Sequence, residues 1–154
     1  MSNKLDLSAF HFNAGTIKLP ASWQDSSILV LNSPDDKNGT SFTISRDSLP
    51  WGLAFNQFAE REMIAIGKQL KDYEVLAHEA GELNGHETET FEFRWRAPSG
   101  PVHQLMMMLN APGQVLIFTG TCQGEMTPAQ KAQMQAMMAM MATFQLRSEQ
   151  KGSE

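Results

Sequence analysis

The sequence predicts an α+β fold, a mainly antiparallel sheet with one long helix after the early strands and a C-terminal helix packed on it. Three observations carry that prediction. Between Glu74 and Cys122, runs that alternate apolar and polar residues are separated by Asn84-Gly85, Ala97-Pro98-Ser99-Gly100-Pro101 and Ala111-Pro112-Gly113. Strands chained by turns this short lie antiparallel to their neighbours. From Leu53 to Leu70, apolar residues return at helical spacing. Finally, Thr127-Pro128-Ala129-Gln130 offers an N-cap, a proline at the first helical position and the glutamine of a capping box, ahead of a methionine-rich run.

The elements follow in chain order. Phe10 to Phe12 and Thr16 to Leu19 flank the break Asn13-Ala14-Gly15 and read as a hairpin. Leu19-Pro20-Ala21-Ser22-Trp23 reads as a turn that folds Trp23 back on the core. Ser27 to Leu31 is a short strand with Ile28 and Val30 on one face, Leu29 and Leu31 on the other. A strand apolar on both faces is expected to be covered on both, by its own chain or by a partner. After the polar loop Asn32 to Gly39, Ser41-Phe42-Thr43-Ile44-Ser45 alternates cleanly. Its row of small hydroxyls, Ser41, Thr43 and Ser45, is either a solvent-facing strand side or a surface on which something packs closely.

In the long helix, Phe55, Phe58, Ala59, Met63, Ile66 and Leu70 share one apolar sector. Glu62 falls inside that sector, about 20° from Phe55 at 100° per residue. An ionised carboxylate there is costly unless paired or wetted. Glu62 therefore either reaches water or a base such as Arg46, or lines a groove. Farther on, Phe91, Phe93 and Trp95 take one side of their strand, and Thr90, Glu92 and Arg94 the other. Val102, Gln104, Met106 and Met108 then share a face, opposite His103, Leu105, Met107 and Leu109.

Length and composition set the class. At 154 residues the chain is expected to form a single domain over 1–147, with a polar tail over 148–154. Twelve basic against seventeen acidic side chains, a formal charge of −5, lack the basic footprint that nucleic acid requires. The same balance disfavours an anionic membrane surface, and no run approaches the ~20 apolar residues of a membrane span, so no direct membrane insertion is expected. The single Cys122 makes no internal disulfide, and Met1 to Phe12 has no signal-like apolar run. The expectation is a cytoplasmic protein. Eleven methionines are unusual, and Met106 to Met108 and Met134 to Met141 concentrate eight of them. Thioethers fill irregular core gaps, and they also line surfaces that adapt to varied apolar partners.

Searches for chemistry find little. No glycine-rich loop has phosphate-binding spacing. His11, His78, His86 and His103 sit at no metal-ligand spacing, so neither a metal nor a cofactor is expected. Glu79, Glu82, Glu87, Glu89 and Glu92 read as a solvated strand face rather than catalytic carboxylates. Nothing in the sequence orients Cys122 towards His103 as a nucleophile pair. No enzyme is expected.

Three ordered motifs carry a resemblance. Leu19-Pro20-x-x-Trp23-x-Asp25-x-Ser27, Phe42-x-Ile44-Ser45-Arg46-Asp47, and Asn84-Gly85-His86 before an aromatic strand resemble the DcrB-like domain. More narrowly, the chain resembles the Eag-type effector-associated chaperones of type VI secretion, over about Phe10 to Arg147. The resemblance implies a homodimeric cytosolic chaperone that shields the N-terminal transmembrane helices of a PAAR- or Rhs-type effector until it is loaded on the secretion spike. By position it implies a client groove containing Ile28, Val30, Ser41, Ser45 and Gln104, with Met106 beside them. A groove amide of relatives is matched by Glu62, a departure that leaves the role of this side chain open. Other classes remain: an adaptor of the same fold with a soluble protein partner, or a small enzyme with an unrecognised pocket.

Overall fold

The computed structural model describes residues 7–12, 15–20, 22, 28–32 and 40–139. The readings made above for Trp23, the loop after Asn32, Met140, Met141 and the tail 148–154 lie outside these residues.

The architecture is α+β. Strands β1 (Leu7–Phe12) and β2 (Gly15–Pro20) pair antiparallel as a two-stranded sheet. Six strands form the main sheet: β3 (Leu29–Asn32), β4 (Ser41–Asp47), β5 (Glu74–Leu83), β6 (His86–Ala97), β7 (Gly100–Ala111) and β8 (Gln114–Gln123). Helix α1 (Phe55–Gln69) lies between β4 and β5 in sequence, and α2 (Pro128–Ala139) follows β8. The spatial order is β3-β4-β8-β7-β6-β5, antiparallel at every pair. The connection through α1 carries the chain from β4 to the far edge of the sheet. The β5–β8 meander then returns strand by strand, until β8 pairs with β4.

Local chemistry accounts for these elements. Leu83 faces His86 across a two-residue turn. Its central residues, Asn84 and Gly85, have φ of 51° and 82°. This is the left-handed pair that lets a hairpin follow the natural twist of its strands. The predicted capping box is present, with the Gln130 N–H donating to Thr127 Oγ1 at 3.1 Å and the Thr127 N–H donating to Gln130 Oε1 at 2.9 Å. At α1 the Ala54 N–H donates to Gln57 Oε1, half of such a box.

The two helices pack on opposite faces of the sheet. Under α1, Phe55, Phe58, Ala59 and Met63 meet Phe91, Phe93, Met106, Met108 and Val115. Under α2, Met134 and Met138 meet Phe42, Leu105, Met107, Leu109, Phe118 and Cys122. Each large apolar side chain so buried contributes about 1.5–3 kcal/mol. All three methionines of the first cluster are therefore core, with Met107 on the α2 face and Met106 and Met108 on the α1 face. Close approach of α2 depends on Gly120, where a Cβ would collide with the Met134 side chain, itself fully buried.

One expectation is corrected. The acidic residues of the meander are not all on a solvated face, because Glu89 and Glu92 are only 7% and 8% exposed. Each has a histidine partner on a neighbouring strand, which offsets the cost of burial. All four residues of the short apolar strand β3 are exposed, so of the two expected sources of cover, its own chain or a partner, the described chain supplies none.

Candidate functional site

Cross-strand register places the sequence-derived groove residues. In an antiparallel sheet, register partners share a face. Val30 faces Thr43, Thr43 faces Thr119, and Thr119 faces Met106, which faces Phe91. The next row runs Asn32, Ser41, Thr121, Gln104 and Phe93. A third joins Ser45, Ile117 and Met108. Ile28 precedes β3 and alternates onto the side of Val30. Ile28, Val30, Ser41, Ser45, Gln104 and Met106 thus all lie on the α1 face of the sheet, and Glu62 is half-buried on α1 itself.

That face has two halves. Among the described residues, the cluster beneath α1 draws on β6, β7 and β8 and on neither β3 nor β4. Met106, 9% exposed, belongs to the covered half. Ile28 and Val30, 62% and 54% exposed, belong to the open half. Between them lie the partly exposed side chains of Ser41, Thr43, Ser45 and Thr121. Among the described residues, the hydroxyls of Ser41, Thr43 and Ser45 have no protein hydrogen-bond partner and their side chains are partly exposed, so they are available to a ligand.

Gln104 stands at the boundary with its amide already oriented. Trp95 Nε1 donates to Gln104 Oε1 at 2.7 Å, and Gln104 Nε2 donates to Thr121 Oγ1 at 3.0 Å. Thr119, Thr121 and Trp95 were not singled out as site residues from the sequence. Their alternation in β8 and β6 is legible, but the pairing of β8 with β4 joins residues about 78 positions apart in the chain.

The α2 face carries a polar cluster instead. Glu92 Oε2 accepts from His103 Nε2 at 2.8 Å, and Glu92 Oε1 pairs with Lys131 Nζ at 2.8 Å. The Met126 N–H donates to His103 Nδ1 at 3.0 Å, which leaves Nε2 as the protonated nitrogen of a neutral ring. Burial works to raise the Glu92 carboxyl, but the hydrogen bonds of Lys131 and His103 and the charge of Lys131 outweigh it and hold it below the usual carboxylate range. These groups tie the start of α2 to β6 and β7. His103 is committed here, and Cys122 is buried with its thiol 3.9 Å from Thr40 Oγ1. Glu89 accepts from His78, whose ring stacks on Phe91 at 4.2 Å.

Two clefts flank the sheet. One of about 390 Å³ opens beside Trp95, His103 and Glu125, where Arg94 pairs with Glu74 at 2.8 Å and Arg96 with Asp72 at 3.6 Å. The other, about 170 Å³, lies between the β3–β4 edge and Met134 and Met137 of α2. Among the described residues there is no cluster of three or more potential metal ligands. No helix among them is long and apolar enough to cross a membrane.

A sheet with a helix on each face and an open strip at one edge has known relatives. The DcrB family model matches residues 14–140, and the chain belongs to that family. Among solved structures, the chain is similar to the protein of unknown function PA94 from Pseudomonas aeruginosa, at 22% identity and a TM-score of 0.74, covering 92% of this chain and 97% of that one. It is more distantly similar to PsbP (CyanoP) of Synechocystis sp. PCC 6803, at 11% identity and a TM-score of 0.50, covering 87% and 90%. Both likenesses are of fold. No curated protein matches the chain.

Proposed function

We propose that this protein is a cytoplasmic holding chaperone that shields the N-terminal transmembrane helices of a type VI secretion effector of PAAR or Rhs type, acting as a homodimer. The observation that carries the reading is the open half of the α1 face. There the exposed Ile28 and Val30 lie beside β4, whose Ser41, Thr43 and Ser45 hydroxyls make no protein hydrogen bond among the described residues, and the Gln104 amide stands two strands farther across the same face. Membership of the DcrB family supports it, as does the similarity of the ordered sequence motifs to the Eag-type chaperones.

The physics suits the task. A membrane helix in water exposes apolar area worth about 25 cal/mol per Å², so covering several hundred Å² gains on the order of 10 kcal/mol before entropic costs. Within a bilayer such helices associate through small residues and through Ser, Thr, Asn and Gln hydrogen bonds. Ser41, Ser45, Thr121 and Gln104 amid Ile28 and Val30 offer the same vocabulary from a protein surface.

The test is a detergent-free affinity purification of the tagged protein from the cells that make it, read by mass spectrometry. The expected result is a co-purifying protein with N-terminal transmembrane segments, lost from the Ile28→Asp/Val30→Asp variant while the variant stays folded. Recovery only of partners that lack long apolar segments, in cells that express such an effector, would replace this reading with the adaptor of the same fold.

A further inference from the structure

The Gln104 amide is held in one orientation by an indole, and that orientation has a consequence for what the open face can bind. An indole N–H donates and never accepts. The Gln104 atom 2.7 Å from Trp95 Nε1 must therefore be its carbonyl oxygen. The NH2 group then points the other way, to Thr121 Oγ1 at 3.0 Å. Trp95 is on β6, under the covered half of the face, and Thr121 is on β8, adjoining the open half. Gln104 thus turns its acceptor towards the covered half and its donors towards the open half.

The polarity continues along the row. Thr121 Oγ1 spends one lone pair on Gln104, and among the described residues its hydroxyl proton has no acceptor. The next side chain in the row is Ser41, then Asn32 at the sheet edge. Resting on the reading proposed above, we infer that Trp95 is a positioning residue that turns the Gln104 NH2 group towards the client, so that this point of the face favours apolar segments bearing neutral oxygen acceptors. Serine or threonine hydroxyls and unpaired backbone carbonyls of an apolar helix are such acceptors. A segment bearing a lysine opposite Gln104 meets that NH2 group and is disfavoured there.

Two synthetic helices test this, each about 20 residues of Leu and Ala with Lys at both ends to confer solubility. One carries two Ser residues a helical turn apart and the other carries none. The wild-type protein is expected to prefer the Ser peptide by about five- to tenfold, the size of one net hydrogen bond. Trp95→Phe keeps the ring and deletes the donor. It is expected to lose that preference while binding the Ser-free peptide as before.

In the same variant the Gln104 side-chain amide resonances should collapse towards free-amide values, a change that mere loosening of the Trp95 ring would not produce. Thr121→Val, which keeps the side-chain shape, should also lose the preference and guards against misfolding of the indole variant. Unchanged preference in both variants overturns the role of Trp95 and leaves the shielding reading intact. Failure of the wild-type protein to bind either peptide overturns both.

Discussion

The covered and open halves of the α1 face belong to one sheet yet present opposite chemistry. Under α1 the sheet shows Phe91, Phe93, Met106, Met108 and Val115, all buried and all apolar. Two strands away it shows Val30 and Ile28 exposed, separated from that core by a band of Thr43, Thr119, Ser41 and Thr121. An apolar surface that is finished by its own helix needs no hydroxyls. A surface with apolar residues beside the partly exposed hydroxyls of Ser41, Thr43 and Thr121 is suited to a partner that brings both kinds of group. The outermost strands differ in the same sense. The β5 edge carries Glu74, His78, Glu79 and Glu82 and a register shift between Val75 and Ala77, features that discourage pairing. The β3 edge reads Leu-Val-Leu-Asn, with no charge and every residue exposed.

The largest expected effect lies in the finished part of the molecule. Gly120→Val should lower stability by roughly 1–3 kcal/mol, since the buried Met134 has to leave its place and α2 with it. Chemical denaturation would measure this, and a stability equal to that of the wild type would show that α2 does not depend on that close approach. Glu92→Gln comes next, at about 1–2 kcal/mol, because it removes the charge that pairs Lys131 and His103 while keeping the shape. Lys131 is partly exposed, which keeps the figure below that of a fully buried pair.

The same carboxylate predicts a pH dependence. Its folded-state pKa is depressed, so its contribution is present above the unfolded carboxyl value of about 4.3 and is lost as pH falls through the folded value. Thermal melts of wild type and Glu92→Gln should therefore differ at pH 7 and draw together as pH falls from about 4.3 through the lowered folded-state value. The smallest stability effect belongs to the open half. Ile28→Asp/Val30→Asp should change stability by less than about 0.5 kcal/mol per site, as exposed positions do, while abolishing capture of an apolar client. A large loss of stability there would mean that the two residues are core to this chain, and the contrast between the halves would disappear.

Much of this was legible in the sequence because it is local. The Asn84-Gly85 turn, the Thr127–Gln130 cap and the apolar stripe of α1 all rest on dihedral preferences and spacings of a few residues. The two-residue alternation of β4, β6 and β7 assigned each side chain to a face, including Gln104 and the Ser41–Ser45 hydroxyls. Burial of Glu89 and Glu92 was not legible, since alternation marks a face without saying what covers it, and their partners come from β5, β7 and α2.

By itself, then, the sequence determined the elements, their turns and caps, and which side chains share a strand face, because those follow from steric and periodic rules acting within a few residues. The tertiary structure alone decided that β8 returns beside β4, that the helices take opposite faces, and that the apolar cluster under α1 draws on β6, β7 and β8 rather than on β3 and β4. Those outcomes depend on which apolar surfaces find each other across the whole chain. They are also what turns a row of serines and threonines into the boundary between a finished core and an open face.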